Sequence, residues 1–260
     1  MASHELPESE ALTPSGRRFD SPLWKTLHRT TLAFLEELMD QLDRWTYEKR
    51  FHSYRVCALS AELGGRMGLS LDRMMTLKAG SLLHDIGKIH LPQNILTKPG
   101  RLLPEEWEVM REHPRLGAIH LSRIPSLSFA QTIVRQHHER WNGSGYPDRL
   151  SGDAILPEAR IFGVVDSYDA MISLRSYNNP RSHEEALERI RENSDRLYDP
   201  DIVREFLSLP EEFFLKIAGA HDYTDFIEDL FSPDEYLPLM ITFLEVGMDG
   251  NAGGGERGAS

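Results

Sequence analysis

Apolar positions along this chain recur every three or four residues, the period of an α-helix with one buried face. Leu27, Leu35, Leu38, Leu42 and Trp45 make the first stripe, behind a Ser21-Pro22 start signal. His52, Val56, Leu59 and Leu63 make a second, which runs to about residue 67 and stops at Gly68. Ser70 opens a third, passing through Met74, Met75, Leu82 and Leu83 into His84-Asp85, with Gly87 and Pro92 as breakers. Residues 86–103 read as a loop. Pro104-Glu105-Glu106 starts a further helix with acids in its first turn, where the helix dipole favours them. Pro114 is expected to close or kink that helix after His113. Residues 126–140 read as a helix ending in His137-His138-Glu139-Arg140, followed by a Gly-rich stretch of turns. Ile161, Val165, Tyr168 and Ile172 share one face of a helix from Pro157 to Ser173. Ser182 and Glu185 form a capping box for the next, and Asp199-Pro200 starts one more. No strand-like alternation persists beyond a few residues, so the expected fold is all-α.

Composition divides the chain. Residues 1–20 are polar and aperiodic and are expected to be disordered, as is the Gly-rich tail, residues 249–260. Residues 21–209 hold the predicted helical domain with its leading helix. Residues 210–248 read as an aromatic, acidic, helical extension. The net charge of −12 is concentrated there: residues 211–249 hold ten acids and one Lys, whereas residues 1–210 carry a net charge of only −3. No basic stripe suits duplex DNA. No apolar stretch is long enough for a membrane span, and the N-terminus has no apolar leader. Cys57, the single cysteine, is placed in the core, and its solitude fits a reducing, cytoplasmic setting.

The candidate chemistry lies in histidines and carboxylates at helix ends. His84-Asp85 and His137-His138 are neighbouring pairs, and neighbours on a helix point about 100° apart. Such a pair can address two metal ions on either side of one helix end. Glu48 and His52 stand four apart on one helix face. Asp166 reads as a lone carboxylate in an apolar stretch from Phe162 to Met171, where an unpaired charge is costly and a metal would account for it. Each of these residues alone is ordinary; their combination in one all-α domain is not. His28, His183 and His221 are read as surface residues, and His90 and His120 are not counted as ligands. A His, Asp and Glu set without Cys favours Fe or Mn over a structural zinc.

The stretch HDIGKIHLPQNILTKPGRLLPEEW, with HHERWNGSGYP downstream, resembles the HD-GYP family of bacterial cyclic di-GMP phosphodiesterases, within the all-α HD superfamily of metal-dependent phosphohydrolases. The resemblance covers roughly residues 45–208. It implies His52, His84, Asp85, His113, His137, His138 and Asp166 as metal ligands, with Glu48 adding a third metal to the usual two. It implies Lys88 and Arg175 as phosphate contacts, Gly145-Tyr146-Pro147 as the substrate-side loop, and Asp85 with Lys88 as the catalytic pair. It also implies hydrolysis of the 3′–5′ linkage of cyclic di-GMP, or a related cyclic dinucleotide, to the linear dinucleotide and GMP by a hydroxide held between metals. A protein partner would be met through residues 210–248 or the GYP loop. Asn178 replaces a second basic residue of the family pattern after Arg175, and Leu103 replaces a capping Thr. Asn142 stands where Asp is more frequent, and Arg149, where Gly is frequent, adds a positive charge. These departures leave two other readings open: a binding module with little turnover, or a phosphohydrolase for another nucleotide.

Overall fold

The structure is a computed structural model describing residue 44, residues 51–173 and residues 180–218. The segment 1–20, most of the leading helix, Glu48, Arg175 to Asn178, and everything beyond 218 lie outside the described residues. The described residues form helices and short 3-10 turns with no strand, as expected. No described helix is long and apolar enough to cross a membrane.

Helix α1 (His52–Arg66) buries its 4-3-4 stripe of His52, Val56, Leu59 and Leu63, and ends before Gly68 at φ 71°. Helix α2 (Leu71–Leu83) packs along it, and His84 is its C-terminal cap. The chain from 86 to 103 is not a plain loop. Ile86–His90 is a 3-10 turn, and Gln93–Leu96 is a single turn of helix, α3. Five residues of 3-10 and four of α-helix are too short to show a period, which is why the pattern misses them.

Helix α4 (Pro104–Met110) starts where expected. Leu103 has no side-chain acceptor to offer, but Glu106 reaches back to its N–H at 2.7 Å, so half of a capping box survives. Pro114 does the opposite of what was expected: it opens helix α5 (His113–Ser122) instead of closing α4. In the first turn a proline's missing N–H is no loss, because that donor has no helical partner. The predicted helix over 126–140 resolves into a 3-10 segment, Pro125–Ala130, and a short α6 (Gln131–Gln136).

Helix α7 (Pro157–Ile172) is the central strut, packed against α1, α2 and α6. Helix α8 (His183–Glu192) carries the full Ser182–Glu185 capping box, and Asp199 caps α9 (Pro200–Leu207) through the Asp201 N–H. Helix α10 (Glu211–Ala218) follows. Val56, Leu59, Leu63, Leu77, Ile133, Phe162, Val165, Tyr168 and Phe206 form one core, with Cys57 fully buried in it. His183 is not a plain surface residue: it is half-buried, with Nδ1 2.7 Å from the Tyr168 hydroxyl.

Candidate metal centre and substrate cleft

Four buried histidines converge at the inner ends of α1, α2, α5 and α6. Three take their orientation from a backbone carbonyl three residues earlier. Nδ1 of His84 donates to Ser81 O at 2.8 Å, that of His113 to Met110 O at 2.8 Å, and that of His137 to Val134 O at 2.7 Å. His52 differs: its Nδ1 donates to the Asp169 carboxylate at 2.8 Å. In all four rings the Nδ1 proton is engaged, so a neutral ring presents a bare Nε2. These Nε2 atoms face one another, at 3.4 Å for His52–His84 and 3.1 Å for His113–His137. Two neutral rings would set lone pair against lone pair at such distances, and a metal ion or a proton relieves it.

The donors fall into two groups, each with ligand atoms within 4.8 Å of one another: His52, His84 and Asp85; and His113, His137 and His138. Asp85 spans both. Its Oδ2 is 3.2 Å from His84 Nε2, and its Oδ1 is 3.1 Å from His113 Nε2. Asp166 lies on the first side, 3.6 Å from His52 Nε2. Seven of the predicted ligands are thus brought together, while Glu48 lies outside the described residues. His137 and His138 both lie within reach of His113, and the His137 ring centre is also 5.3 Å from that of His84 in the first group. They follow the end of α6, with His137 as its C-terminal cap.

The donor set fits divalent metal. Burial, with neighbouring histidines, pushes His137 and His138 well below the ordinary histidine value, which keeps them in the neutral, ligating form. Burial alone would raise Asp85, but Lys88, His84 and His113 outweigh it and hold the carboxyl well below its usual range. Lys88 Nζ stands 2.6 Å from Asp85 Oδ2. His90 and His120 pair with each other at 3.2 Å and belong to neither group.

Two glycines allow this geometry. A methyl group at Gly87 would lie 1.9 Å from His113 O and 2.5 Å from Gly117 N, so the turn after His84-Asp85 sits backbone to backbone on the start of α5. At Gly145 it would lie 2.5 Å from Arg140 N and from Glu139 Cα. Glu139, buried, accepts the Asp148 and Leu150 N–H groups at 2.7 and 3.0 Å and holds the loop closed. The Gly145-Tyr146-Pro147 segment therefore lays the Tyr146 ring 4.7 Å from that of His138, with the Arg111 guanidinium 5.7 Å from the Tyr146 ring centre. The Tyr146–Pro147 peptide is cis.

A family model described as an HD domain matches residues 33–202. The chain belongs to the HD domain family. It is 42% identical over 183 residues to a cyclic di-GMP phosphodiesterase of Thermotoga maritima, covering 70% of this chain and 49% of that protein. It is 34% identical over 198 residues to a 3′3′-cGAMP-specific phosphodiesterase of Vibrio cholerae, covering 75% of this chain and 38% of the relative. The chain thus spans about half the length of these curated relatives, or less. Its fold is shared with the crystal structure of a cyclic GMP-AMP specific phosphodiesterase from V. cholerae. The TM-score is 0.58 at 20% identity, over 85% of this chain and 62% of the other.

Two features of this HD domain lie outside its sequence motifs. Asp169 follows Asp166 by one helical turn, so the stretch from Phe162 to Met171 is not otherwise apolar. The second is a cleft of about 590 Å³ reaching from His137, His138 and Asp166 past Tyr146 to Trp107, Arg111, Trp141, Arg160 and Tyr198. The Arg160 guanidinium lies 5.4 Å from the Trp141 ring centre, and the Trp141 indole N–H donates to Asp195 at 3.2 Å. Asp169's signal was its spacing from Asp166; the cleft has none, because its wall joins residues from 104 to 199.

Proposed function

We propose that this chain hydrolyses a 3′–5′ phosphodiester bond of cyclic di-GMP, giving the linear dinucleotide pGpG and, on further cleavage, GMP. The observation that carries this is a pair of histidine groups sharing Asp85 at the end of an aromatic, guanidinium-walled cleft. His52, His84, Asp85 and Asp166 would hold one divalent ion, and Asp85, His113, His137 and His138 a second. Glu48, four residues before His52, would complete a site for a third. Bound there, Fe or Mn supplies positive charge to the phosphoryl oxygens and activates water at neutral pH.

The remaining roles belong to the chain itself. Lys88, anchored by Asp85, adds a fixed ammonium beside the reacting phosphate, where charge-assisted contacts are strongest. Tyr146, fixed over His138, limits how the sugar–phosphate ring can enter. Arg111 and Arg160 offer cations along the cleft, and Trp107, Trp141 and Tyr198 offer faces on which bases can stack, a contact of about 1–3 kcal/mol per base. Arg175 would take the second phosphate. The volume is in the range of small-molecule sites. The cytoplasmic setting, the domain limits at 21–209 and a protein partner for residues 210–248 or the GYP loop belong to the same reading.

The test is turnover. The full chain, loaded with Fe(II) or Mn(II), is incubated with cyclic di-GMP and with 3′3′-cGAMP, and products are separated by chromatography. Cyclic di-GMP is expected to disappear first and pGpG to accumulate, with chelation or Asp85→Ala abolishing both. No turnover of either dinucleotide with either metal, aerobic or anaerobic, overturns the proposal. Hydrolysis of cGAMP alone moves the substrate and keeps the chemistry.

A further inference from the structure

We propose that Asp169 is a positioning residue: it fixes His52 as a ligand of the first metal group, and Arg55 locks it in place. This rests on the metal reading above and adds a residue outside its ligand set.

Asp169 stands three residues after Asp166 on α7, so both carboxylates point from one helix face toward α1. The His52 ring lies between them. Asp166 is 3.6 Å from its Nε2, and Asp169 is 2.8 Å from its Nδ1. Asp169 is 1% exposed and is surrounded by donors. Arg55 donates Nε to Oδ1 at 2.6 Å and Nη2 to Oδ2 at 3.0 Å, and the Ser173 hydroxyl donates to Oδ2 at 3.2 Å. A bidentate guanidinium fixes the plane of a carboxylate. That plane in turn fixes the tautomer and direction of the imidazole, leaving Nε2 bare toward His84 and Asp166.

His84 and His137 achieve the same with a backbone carbonyl from the helix they end, and His113 with Met110 O at the end of α4. At His52, the first residue of α1, the Nδ1 partner is a carboxylate and not a main-chain carbonyl. A side chain from α7 replaces it. A carboxylate partner also raises ligand basicity, and losing such a partner typically costs 10- to 100-fold in metal affinity. The loss should fall on one group only, because the orientation of His113 and His137 does not involve Asp169.

The experiment uses the full chain, stripped with chelator and titrated with Mn(II), with bound metal counted by elemental analysis and Mn(II) EPR. Long-range 1H–15N NMR reads the His52 tautomer in the stripped protein. Wild type is expected to carry the His52 proton on Nδ1. Asp169→Asn is expected to weaken one metal equivalent by 10- to 100-fold, leave another at wild-type affinity and scramble the tautomer, with Asp169→Glu restoring part of the loss. Equal weakening of every equivalent, or no weakening with an unchanged tautomer, overturns the proposal. So does a wild-type His52 protonated on Nε2, a result that requires no variant to fold. Wild type that binds no Mn(II) overturns the metal reading itself, and this inference with it.

Discussion

Replacing Gly87 with Ala should damage stability and the metal centre together, through one contact. The added methyl would lie 1.9 Å from His113 O, and ordinary contact begins near 3.4 Å, so one backbone must retreat by about 1.5 Å. Neither neighbour is a flexible side-chain tip; the nearest atoms are His113 O, Gly117 N and His113 C. Overpacking of this kind costs about 1–3 kcal/mol, and a clash of main chain against main chain belongs at the upper end. For a domain of this size that lowers Tm by about 6–12 °C. The same retreat carries His113 away from Asp85 and His137, now both 3.1 Å from its Nε2, and a shift near 1 Å costs about 100-fold in rate. The control is Gly65→Ala on exposed α1, where nothing lies within 4 Å of the added methyl. There alanine should stabilise by about 0.5–1 kcal/mol through helix propensity. Thermal melts, metal content and turnover would be measured for both. A Gly87→Ala protein that melts within 2 °C of wild type (about 1 kcal/mol) and keeps its full metal content would refute the reasoning.

Leu103→Ser supplies the missing acceptor at the start of α4 and completes the box that Glu106 half makes; it should add about 0.5–1 kcal/mol, read by urea midpoint, with turnover unchanged. Trp141→Ala should raise KM about ten-fold and leave kcat near wild type, because stacking holds substrate and transition state alike; a fall in kcat alone would place Trp141 elsewhere in the reaction. Burial raises the Glu158 carboxyl, but the bidentate Arg73 outweighs it and leaves it below its ordinary value. Such a depressed carboxyl stabilises the fold above its unfolded pKa, about 4.3, and loses that contribution as pH falls through the folded value. Arg73 is half exposed, so the effect is screened to about 1 kcal/mol or less; Glu158→Gln should narrow the gap to wild type between pH 7 and pH 3, and a constant gap would exclude it.

What could be read from the chain follows what its residues encode locally. The 4-3-4 stripe of α1, the capping box at Ser182 and the Asp199-Pro200 start are all short-range signals, and all appear as expected. Pro114 was legible as punctuation but not as to which side it punctuates, since a proline ends one helix and begins another by the same property. Of the candidate metal ligands, His84-Asp85 and His137-His138 stand out as adjacent pairs at helix ends, whereas His113 is marked only by the family resemblance. Asp169 does not stand out, because its partner His52 is 117 residues away and only the packing of α7 on α1 joins them. The cleft wall is likewise a product of packing, with Trp107 on α4, Trp141 in the Gly-rich stretch and Arg160 on α7.

Asp85 touches both histidine groups, one oxygen to each. Two sites that share a ligand are not independent in the thermodynamic sense. A cation on either side draws on the one negative charge that the other side shares. The two ions are therefore expected to bind in two separate steps, the first leaving less negative charge on Asp85 for the second. Protein short of metal would then pass through a half-loaded form, with one histidine group filled and the other waiting on the shared carboxylate.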